Sequence, residues 1–498
     1  MKIFDILYTY YSCYGYVFTI FAGTFCACEF IGIQHKKNYL FYLFMNVIYL
    51  YFLFNTNVHL FWDNTFLKFF MSLVYGIGVV ILYDVFLFPL FKSVKCFVKK
   101  YQCFCYLMCF FIIYLLLHIP DEVYIWTVPW YVLNYSFGIG SRFFIGTILH
   151  LFSPEFISAR LAFWFCTAFY LVLAGVVSFC FDVLIKKSSS SCREVVIFLM
   201  LLYISSPFSI TSFLNSYNFG RLEMYTLLLT MLSVIVFFNI KNNWIKYSLI
   251  TVLTCVSTAI YQGHVFLSYP MLLITMIVSL LAMPKVSFKA FVGPVVNVIM
   301  TGISFIYFQF FSFVKFDNTQ DVSAALKSMT DMPFYNETID LELFRSLSYF
   351  YEKLMIPCLL EDHPRELLCL ILLLLLPLAV LFYYIYKTAW ISQKGVQWYK
   401  NEYLYCLLIN LVVLPQFILN VDWGRWLIAV GTMVFFEIFL LVYLGNKGII
   451  RTLSKMNYLV KKHYLLCLIL IVYFAKLQVW GTTVETFYDS VKLYNMLF

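Results

Sequence analysis

Charged residues are scarce in this sequence. Asp, Glu, Lys and Arg make up 12% of the 498 residues, whereas soluble domains contain roughly 25%. Hydrophobic residues make up 63%, and a water-soluble fold has no means of covering that much apolar surface. The scarcity of charge therefore excludes a soluble globular protein and predicts a chain that lies largely within a lipid bilayer.

The long apolar runs also lack the alternation of polar and apolar residues that membrane β-strands require. They are continuously apolar, and about 20 such residues cross a bilayer core as a helix. We therefore predict an all-α, polytopic transmembrane helix bundle of about 12–14 spans with long extracytoplasmic loops. The candidate spans are residues 11–33, 39–56, 69–91, 103–118, 158–185, 195–213, 223–240, 247–262, 266–283, 291–313, 366–386, 403–420, 427–444 and 464–482.

The sequence also lacks a set of cysteines that could form disulfides with one another in the outer compartment. Nearly all 15 cysteines lie in apolar runs or basic loops, and Cys358 alone is expected in an outer loop. A disulfide framework would need partners there. The cluster Cys103, Cys105 and Cys109 has no neighbouring His or Asp, so we predict no metal site and no cofactor. The first apolar run lacks a cleavage site followed by a polar domain, and we interpret it as a span rather than a signal peptide.

Every second loop between the predicted spans contains almost no acidic residues, and this absence predicts the topology. These connections hold 21 of the 34 basic residues and are cytoplasmic by the positive-inside rule. With 14 spans, both termini are extracytoplasmic, and the chain is a multi-pass protein of the cell inner (plasma) membrane. The net charge of +9 is thus a topology signal, and we expect no nucleic acid as a partner.

Two outer segments are long within what we treat as a single integral membrane domain, residues 1–498. Residues 119–157 contain Trp126, Trp130 and Tyr131, which suit an interfacial helix. Residues 314–365 are predicted to contain an amphipathic helix capped by Thr338 or Asp340. Its apolar face would hold the following side chains at three- and four-residue spacing: Leu343, Leu347, Phe350 and Leu354.

Three outer loops each place an arginine beside a glycine. They contain Gly140-Ser141-Arg142, Gly220-Arg221 and Asp422-Trp423-Gly424-Arg425. Glycine lets the backbone turn tightly or approach a ligand closely, and the planar guanidinium matches phosphate oxygens. Together the arginines form a candidate clamp for a pyrophosphate. The alternative is that each arginine anchors a helix end at lipid headgroups or pairs with a nearby acid, Glu223 or Asp422.

Four further outer residues are candidates for acid–base catalysis: Asp121, Glu122, His264 and Asp422. An outward-facing carboxylate or an imidazole can take a proton from a sugar hydroxyl. Trp423 and Trp426 are candidates for stacking on sugar rings, and Glu223 for binding sugar hydroxyls. The plainer interpretation is a set of solvated loop acids and an interfacial histidine. Glu437 and Asp84, within apolar runs, are candidates for a proton or ion path.

The overall plan, with the three Gly–Arg segments, resembles bacterial Wzy-type polymerases of O-antigen and capsular repeat units. It is also similar to GT-C membrane glycosyltransferases, although the first outer loop, around Asp63, lacks a double-acid motif. The resemblance implies glycosyl transfer from a polyprenyl-diphosphate-linked saccharide, with Arg142, Arg221 and Arg425 holding the diphosphate and a carboxylate or His264 as the base. Expected partners are the lipid bilayer, that lipid-linked saccharide and other polysaccharide-assembly proteins.

Two other classes of protein fit the same span count. A lipid-linked saccharide flippase, or another multi-pass transporter, would need polar residues along a path at mid-membrane depth. A non-enzymatic assembly protein would need no clustered arginines. Convergence of the arginines on one outer cavity would favour the enzyme, whereas scattered arginines would favour the rivals.

Overall fold

A computed structural model describes residues 97–98, 100–283, 287–344, 376–392, 397–419 and 423–476. The chain divides into two units, Met1–Gln102 and Cys103–Phe498, and nearly all of the described residues belong to the second. The predicted spans at 11–33, 39–56 and 69–91, together with Asp84, lie outside the described residues.

Helices dominate the described part of the chain, as the sequence predicts. They are α1 Gln102–His118, α2 Pro129–Val132, α3 Phe143–Phe152, α4 Ala159–Lys187, α5 Arg193–Ser205, α6 Glu223–Asn239, α7 Asn243–Ile260, α8 His264–Leu267, α9 Tyr269–Leu281, α10 Phe288–Phe310, α11 Thr319–Met329, α12 Asn336–Ile339, α13 Leu376–Ile391, α14 Glu402–Ile409, α15 Leu414–Leu419, α16 Trp423–Tyr443, α17 Lys447–Lys462 and α18 Tyr464–Lys476. The 3₁₀ turns are Ile210–Leu214, Trp398–Lys400 and Asn410–Val413, and Asp340–Phe344 is π-helical. The strands are β1 Gly138–Ile139 and β2 Phe313–Val314.

Several of these helices have the length and apolar composition of membrane spans. Within the described ranges four qualify: Ala159–Lys187, Arg193–Leu214, Ala290–Phe310 and Trp426–Tyr443. A fifth is added if α17 and α18, bent by 97°, count as one span. The structure is thus consistent with a membrane protein, and the total of about 12–14 spans stays a prediction. Inside α4 the buried Asp182 pairs with Lys186 one turn later, so that acid is neutralised locally.

The two long segments that the sequence places outside pack against each other. Strand β1 pairs antiparallel with β2, with Gly138 opposite Val314, and Ile157 forms a bridge to Thr330. Gly138 has φ +146°, and a Cβ there would lie 2.2 Å from the Phe313 carbonyl oxygen, so glycine is required for this contact. Both segments therefore lie at one end of the helices, which we call the loop end.

Two details of these segments differ from the sequence-based expectation. Trp130 and Tyr131 are buried rather than placed at a lipid interface, because the Tyr131 hydroxyl donates to the Gly220 carbonyl oxygen at 2.6 Å inside the protein. The expected helix after Thr338 begins as α12 and becomes the π turn Asp340–Phe344. The remainder of that expected helix lies outside the described residues. A different amphipathic helix, α11, precedes it and is capped by Asn318.

One apolar helix is interrupted, and a buried acid lies beside the interruption. Helix α14 passes through the 3₁₀ turn Asn410–Val413 into α15, which contains Pro415. Proline has no N–H for the preceding turn, which accounts for the tightening. Glu437 in α16 is fully buried. It accepts hydrogen bonds from the Tyr386 hydroxyl at 2.5 Å and from the Asn410 amide at 2.8 Å.

Substitution of Glu437 tests whether this acid is a structural acceptor. Glu437→Leu removes the acceptor of two donors, and we expect a loss of about 1–3 kcal/mol for each donor left unsatisfied. Glu437→Gln retains one acceptor oxygen and is expected to lower the midpoint of thermal unfolding less. The measurement is fluorescence-detected thermal unfolding in detergent. A Leu variant as stable as the wild type would contradict a structural role for these hydrogen bonds.

Candidate functional site

The Gly220–Arg221 segment lies between the turn Ile210–Leu214 and helix α6, at the loop end. Gly220 has φ +87°, and a Cβ there would meet Val123 Cγ1 at 2.5 Å. Arg221 is 5% exposed. Its Nε donates to the Tyr217 carbonyl oxygen at 2.8 Å, and its guanidinium lies 5.2 Å from the centre of the Tyr124 ring. A buried guanidinium held by a hydrogen bond and a ring is a preorganised cation.

Arg221 lines a cavity of about 60 Å³, which we call the polar cavity. Its walls come from the loop before α6, from α6, from the junction of α8 with α9, and from α16. The lining residues are Ser212, Phe213, Asn218, Arg221, Glu223, Thr226, Leu227, Leu267, Ser268, Met271, Ile428, Ala429 and Thr432. Of the described residues on this list, Arg221 is the one cation and Glu223 the one carboxylate.

Asn218 adds a second buried polar group to the polar cavity. It is 3% exposed, and its Nδ2 donates to the Ser212 carbonyl oxygen at 3.1 Å. Its Oδ1 has no hydrogen-bond partner among the described residues. A buried acceptor without a partner is costly, and a ligand hydroxyl bound in the cavity would supply the missing donor.

A larger, apolar cavity of about 170 Å³ adjoins the polar cavity, and we call it the apolar crevice. The two share Leu227, Met271 and Thr432. From Thr432 to Tyr443 the α16 wall runs about 16 Å, at 1.5 Å per residue. The crevice thus leads from the polar cavity toward the end of the bundle opposite the loop end. The remaining lining residues are Val177, Phe179, Cys180, Phe181, Val183, Leu184, Tyr203, Met231, Val234, Ile235, Phe238, Asn239, Phe435, Phe436, Phe439, Leu440 and Tyr443.

Arg142 lies away from the polar cavity, and two aromatic rings hold its side chain. Its guanidinium lies 5.1 Å from the ring centres of both Trp130 and Tyr261, and its backbone N–H donates to the Ala259 carbonyl oxygen at 3.0 Å. Arg142 has φ 72°, a conformation that is uncommon for a residue with a side chain. The Gly–Arg motif at 140–142 therefore packs on the end of α7, and Arg142 is not among the residues that line the polar cavity. The two arginines whose side chains the structure describes in these motifs, Arg142 and Arg221, thus do not converge on one cavity, which is the arrangement that the sequence-based clamp required.

His264 reaches the polar cavity through another residue. It is fully buried, and its Nδ1 lies 2.7 Å from Ser268 Oγ, which lines the cavity. Burial lowers the pKa of His264 to about 3, so the imidazole is neutral at physiological pH. A fully buried, weakly basic imidazole is poorly suited to direct proton abstraction from a substrate.

The third Gly–Arg motif lies at the start of α16. Asp422 lies outside the described residues, and so do the side chains of Trp423 and Arg425. The helical backbone places position 425 on the same face as Ile428 and Thr432, both of which line the polar cavity. Trp426 is fully buried, so it is packed inside the protein rather than free to stack on a sugar.

The acidic pair Asp121 and Glu122 is exposed. It immediately precedes Val123, which contacts Gly220, and Tyr124, whose N–H donates to the Phe219 carbonyl oxygen at 3.0 Å. The pair thus lies close in sequence to the Gly220 loop, while Glu223 is the acid on the cavity wall. Within the described ranges, no group of three or more His, Cys, Asp or Glu side chains is arranged to hold a metal ion.

Sequence reasoning missed five polar residues that line the polar cavity: Ser212, Asn218, Thr226, Ser268 and Thr432. Two of them carried a usable signal. Ser268 follows His264 by four residues and Thr432 follows Arg425 by seven, spacings that share a helix face. No protein-family model, curated protein or solved structure matches the chain.

Proposed function

We propose that the protein is a membrane glycosyltransferase of the polysaccharide-polymerase kind. Its substrate would be a polyprenyl-diphosphate-linked saccharide at the extracytoplasmic face, and its product a surface polysaccharide such as O-antigen or capsule. One observation carries the proposal: a polar cavity with a buried arginine adjoins an apolar crevice, with three lining residues in common. The proposal rests on Arg221 in that cavity and not on a three-arginine clamp. An anionic lipid carrier needs both environments, a cation for the diphosphate and an apolar channel for the tail.

The residues on the cavity wall suit the chemistry of glycosyl transfer. The acceptor hydroxyl attacks the anomeric carbon, and the bond from that carbon to the diphosphate oxygen breaks. The diphosphate leaves with the bonding electrons, and Arg221 stabilises its growing negative charge. Glu223 takes the proton of the acceptor hydroxyl, and Asn218 Oδ1 accepts a hydrogen bond from a sugar hydroxyl. We assign the base to Glu223 because, within the described part of the chain, it is the acid that lines the cavity.

Transport of a lipid-linked saccharide is the second candidate function. The buried Glu437 and the interrupted helix beside it supply polar groups at membrane depth, which a coupled transporter uses for protons or ions. A transporter moves its substrate without breaking a covalent bond, so product chemistry separates the two candidates.

The test is reconstitution in liposomes with a polyprenyl-diphosphate-linked oligosaccharide. We expect longer saccharides and free polyprenyl diphosphate, both detected by mass spectrometry. Glu223→Gln should lower the rate roughly 100-fold or more, whereas the matched control Glu155→Gln, an exposed acid at the same end, should retain the wild-type rate. Movement of an intact substrate across the bilayer, with no change in its mass, would support the transporter instead.

A further inference from the structure

The pair formed by His264 and Ser268 joins a fully buried imidazole to the wall of the polar cavity. His264 Nδ1 lies 2.7 Å from Ser268 Oγ, and the backbone N–H of Ser268 donates to the His264 carbonyl oxygen at 3.2 Å. The other ring nitrogen, Nε2, has no hydrogen-bond partner within the described ranges. The proton can therefore be assigned by comparing the two neutral tautomers.

The tautomers differ in what they leave unsatisfied. If Ser268 donates to Nδ1, the ring proton is on Nε2, and a buried N–H has no acceptor. If Nδ1 carries the proton and donates to Ser268 Oγ, the unsatisfied group is a lone pair on Nε2. Among backbone groups, a buried N–H without an acceptor is rarer than a buried oxygen without a donor, and the same preference applies to the ring nitrogens. The second tautomer is therefore the favoured one, because it leaves an unsatisfied acceptor on Nε2 rather than an unsatisfied N–H.

This assignment fixes the direction of the Ser268 hydroxyl. A hydroxyl that accepts from the imidazole still has one O–H to donate. Ser268 and Arg221 both line the polar cavity, so the hydroxyl and the guanidinium border the same space. A hydroxyl donor and a cation on the walls of one cavity suit the binding of an anionic oxygen.

We propose that His264 is a positioning residue that holds Ser268 as a hydrogen-bond donor to the anionic head group in the polar cavity. The inference rests on the proposed function, because that function supplies the diphosphate. It replaces the expectation that His264 takes a proton from the acceptor. It also predicts that the two residues act as one unit, His264 having no effect on the ligand once Ser268 lacks its hydroxyl.

The test is a double-mutant cycle on the full-length protein in detergent, with farnesyl diphosphate as the probe and farnesol as the uncharged control. Ser268→Ala and His264→Phe should each weaken farnesyl diphosphate binding about fivefold to tenfold, the size of one hydrogen bond. The double variant should bind no more weakly than either single variant. Isothermal titration calorimetry supplies the dissociation constants.

Two conservative variants keep the test decisive if His264→Phe unfolds. Ser268→Thr retains the hydroxyl, and His264→Asn places an amide N–H near the position of Nδ1, so both should bind within about twofold of the wild type. A purely structural role would weaken farnesol binding as well, and we expect farnesol affinity to stay constant in all the variants.

The outcomes separate this inference from the proposed function. The inference is overturned, and the proposed function stands, if Arg221→Ala weakens diphosphate binding but Ser268→Ala does not. The same conclusion follows if the effects of Ser268→Ala and His264→Phe add in the double variant. If the wild type binds farnesyl diphosphate no better than farnesol, both are overturned.

Discussion

Replacement of Arg221 by alanine will weaken the binding of farnesyl diphosphate roughly 10- to 100-fold, because it removes a buried cation from the wall of the polar cavity. Hydrogen bonds to a charged group contribute about 1.5–3 kcal/mol, which corresponds to this range of dissociation constants. Arg221→Lys keeps the charge but loses the planar fork and the Nε bond to Tyr217, so it should bind with intermediate affinity. Calorimetric titration in detergent measures both variants.

Two other arginines serve as comparisons for Arg221. Arg160 is exposed near the start of α4, at the loop end, and Arg160→Ala controls for a general loss of positive charge. Arg142 is held between Trp130 and Tyr261 and does not line the polar cavity, so Arg142→Ala should change the affinity by less than about threefold. An Arg142 effect as large as that of Arg221 would restore the clamp expected from the sequence and contradict a site centred on Arg221.

Replacement of Gly220 by alanine will both destabilise the protein and disrupt head-group binding. A side chain at φ +87° costs about 1–2 kcal/mol in backbone strain. The added Cβ would lie 2.5 Å from Val123 Cγ1 and 3.2 Å from the Tyr131 hydroxyl oxygen, so the segment before α3 must move. Arg221 is the next residue, and its position depends on this turn. Thermal unfolding and farnesyl diphosphate titration measure the two effects.

Gly302→Ala is the matched control for Gly220→Ala. Gly302 lies inside α10, and a Cβ there has nothing within 4 Å. Alanine is favoured over glycine inside a helix by about 0.5–1 kcal/mol, so this variant should be at least as stable as the wild type and bind normally. A Gly220→Ala variant that behaves like Gly302→Ala would show that the turn at Gly220 is not rigid.

The helices could be predicted closely where apolar length decided them. The span predicted at 158–185 is α4, Ala159–Lys187, which begins where the Ser158 side chain accepts from the Leu161 N–H at 3.2 Å. The span predicted at 223–240 is α6, Glu223–Asn239. Both helices depend on a local property, a run of apolar residues with polar residues at its ends. Such a property can be recognised from the sequence alone.

The roles of the glycines and aromatics beside the arginines could not be predicted in this way. Gly220 was interpreted as a site of a tight turn or of ligand approach; in the structure it has φ +87° and admits the Val123 side chain, while Gly138 admits the Phe313 backbone. Trp130 and Tyr131 were placed at the membrane interface but are buried, Tyr131 in contact with the distant Gly220 and Trp130 in contact with Arg142 of its own segment. Each of these outcomes depends on which parts of the chain meet, and a local pattern carries no information about that.

The sequence by itself predicted a helical membrane protein, because low charge and long apolar runs favour helices that satisfy their own backbone within a bilayer; the apolar helices of the structure are consistent with that prediction. It also marked the polar segments from which a site can be built. The tertiary structure decided which of them are combined. It placed Arg221 and Glu223 on a cavity that adjoins an apolar crevice, stacked Arg142 between two rings, and buried His264 behind Ser268. Burial and proximity arise from contacts between residues far apart in the chain, and so the site emerges only in the folded bundle.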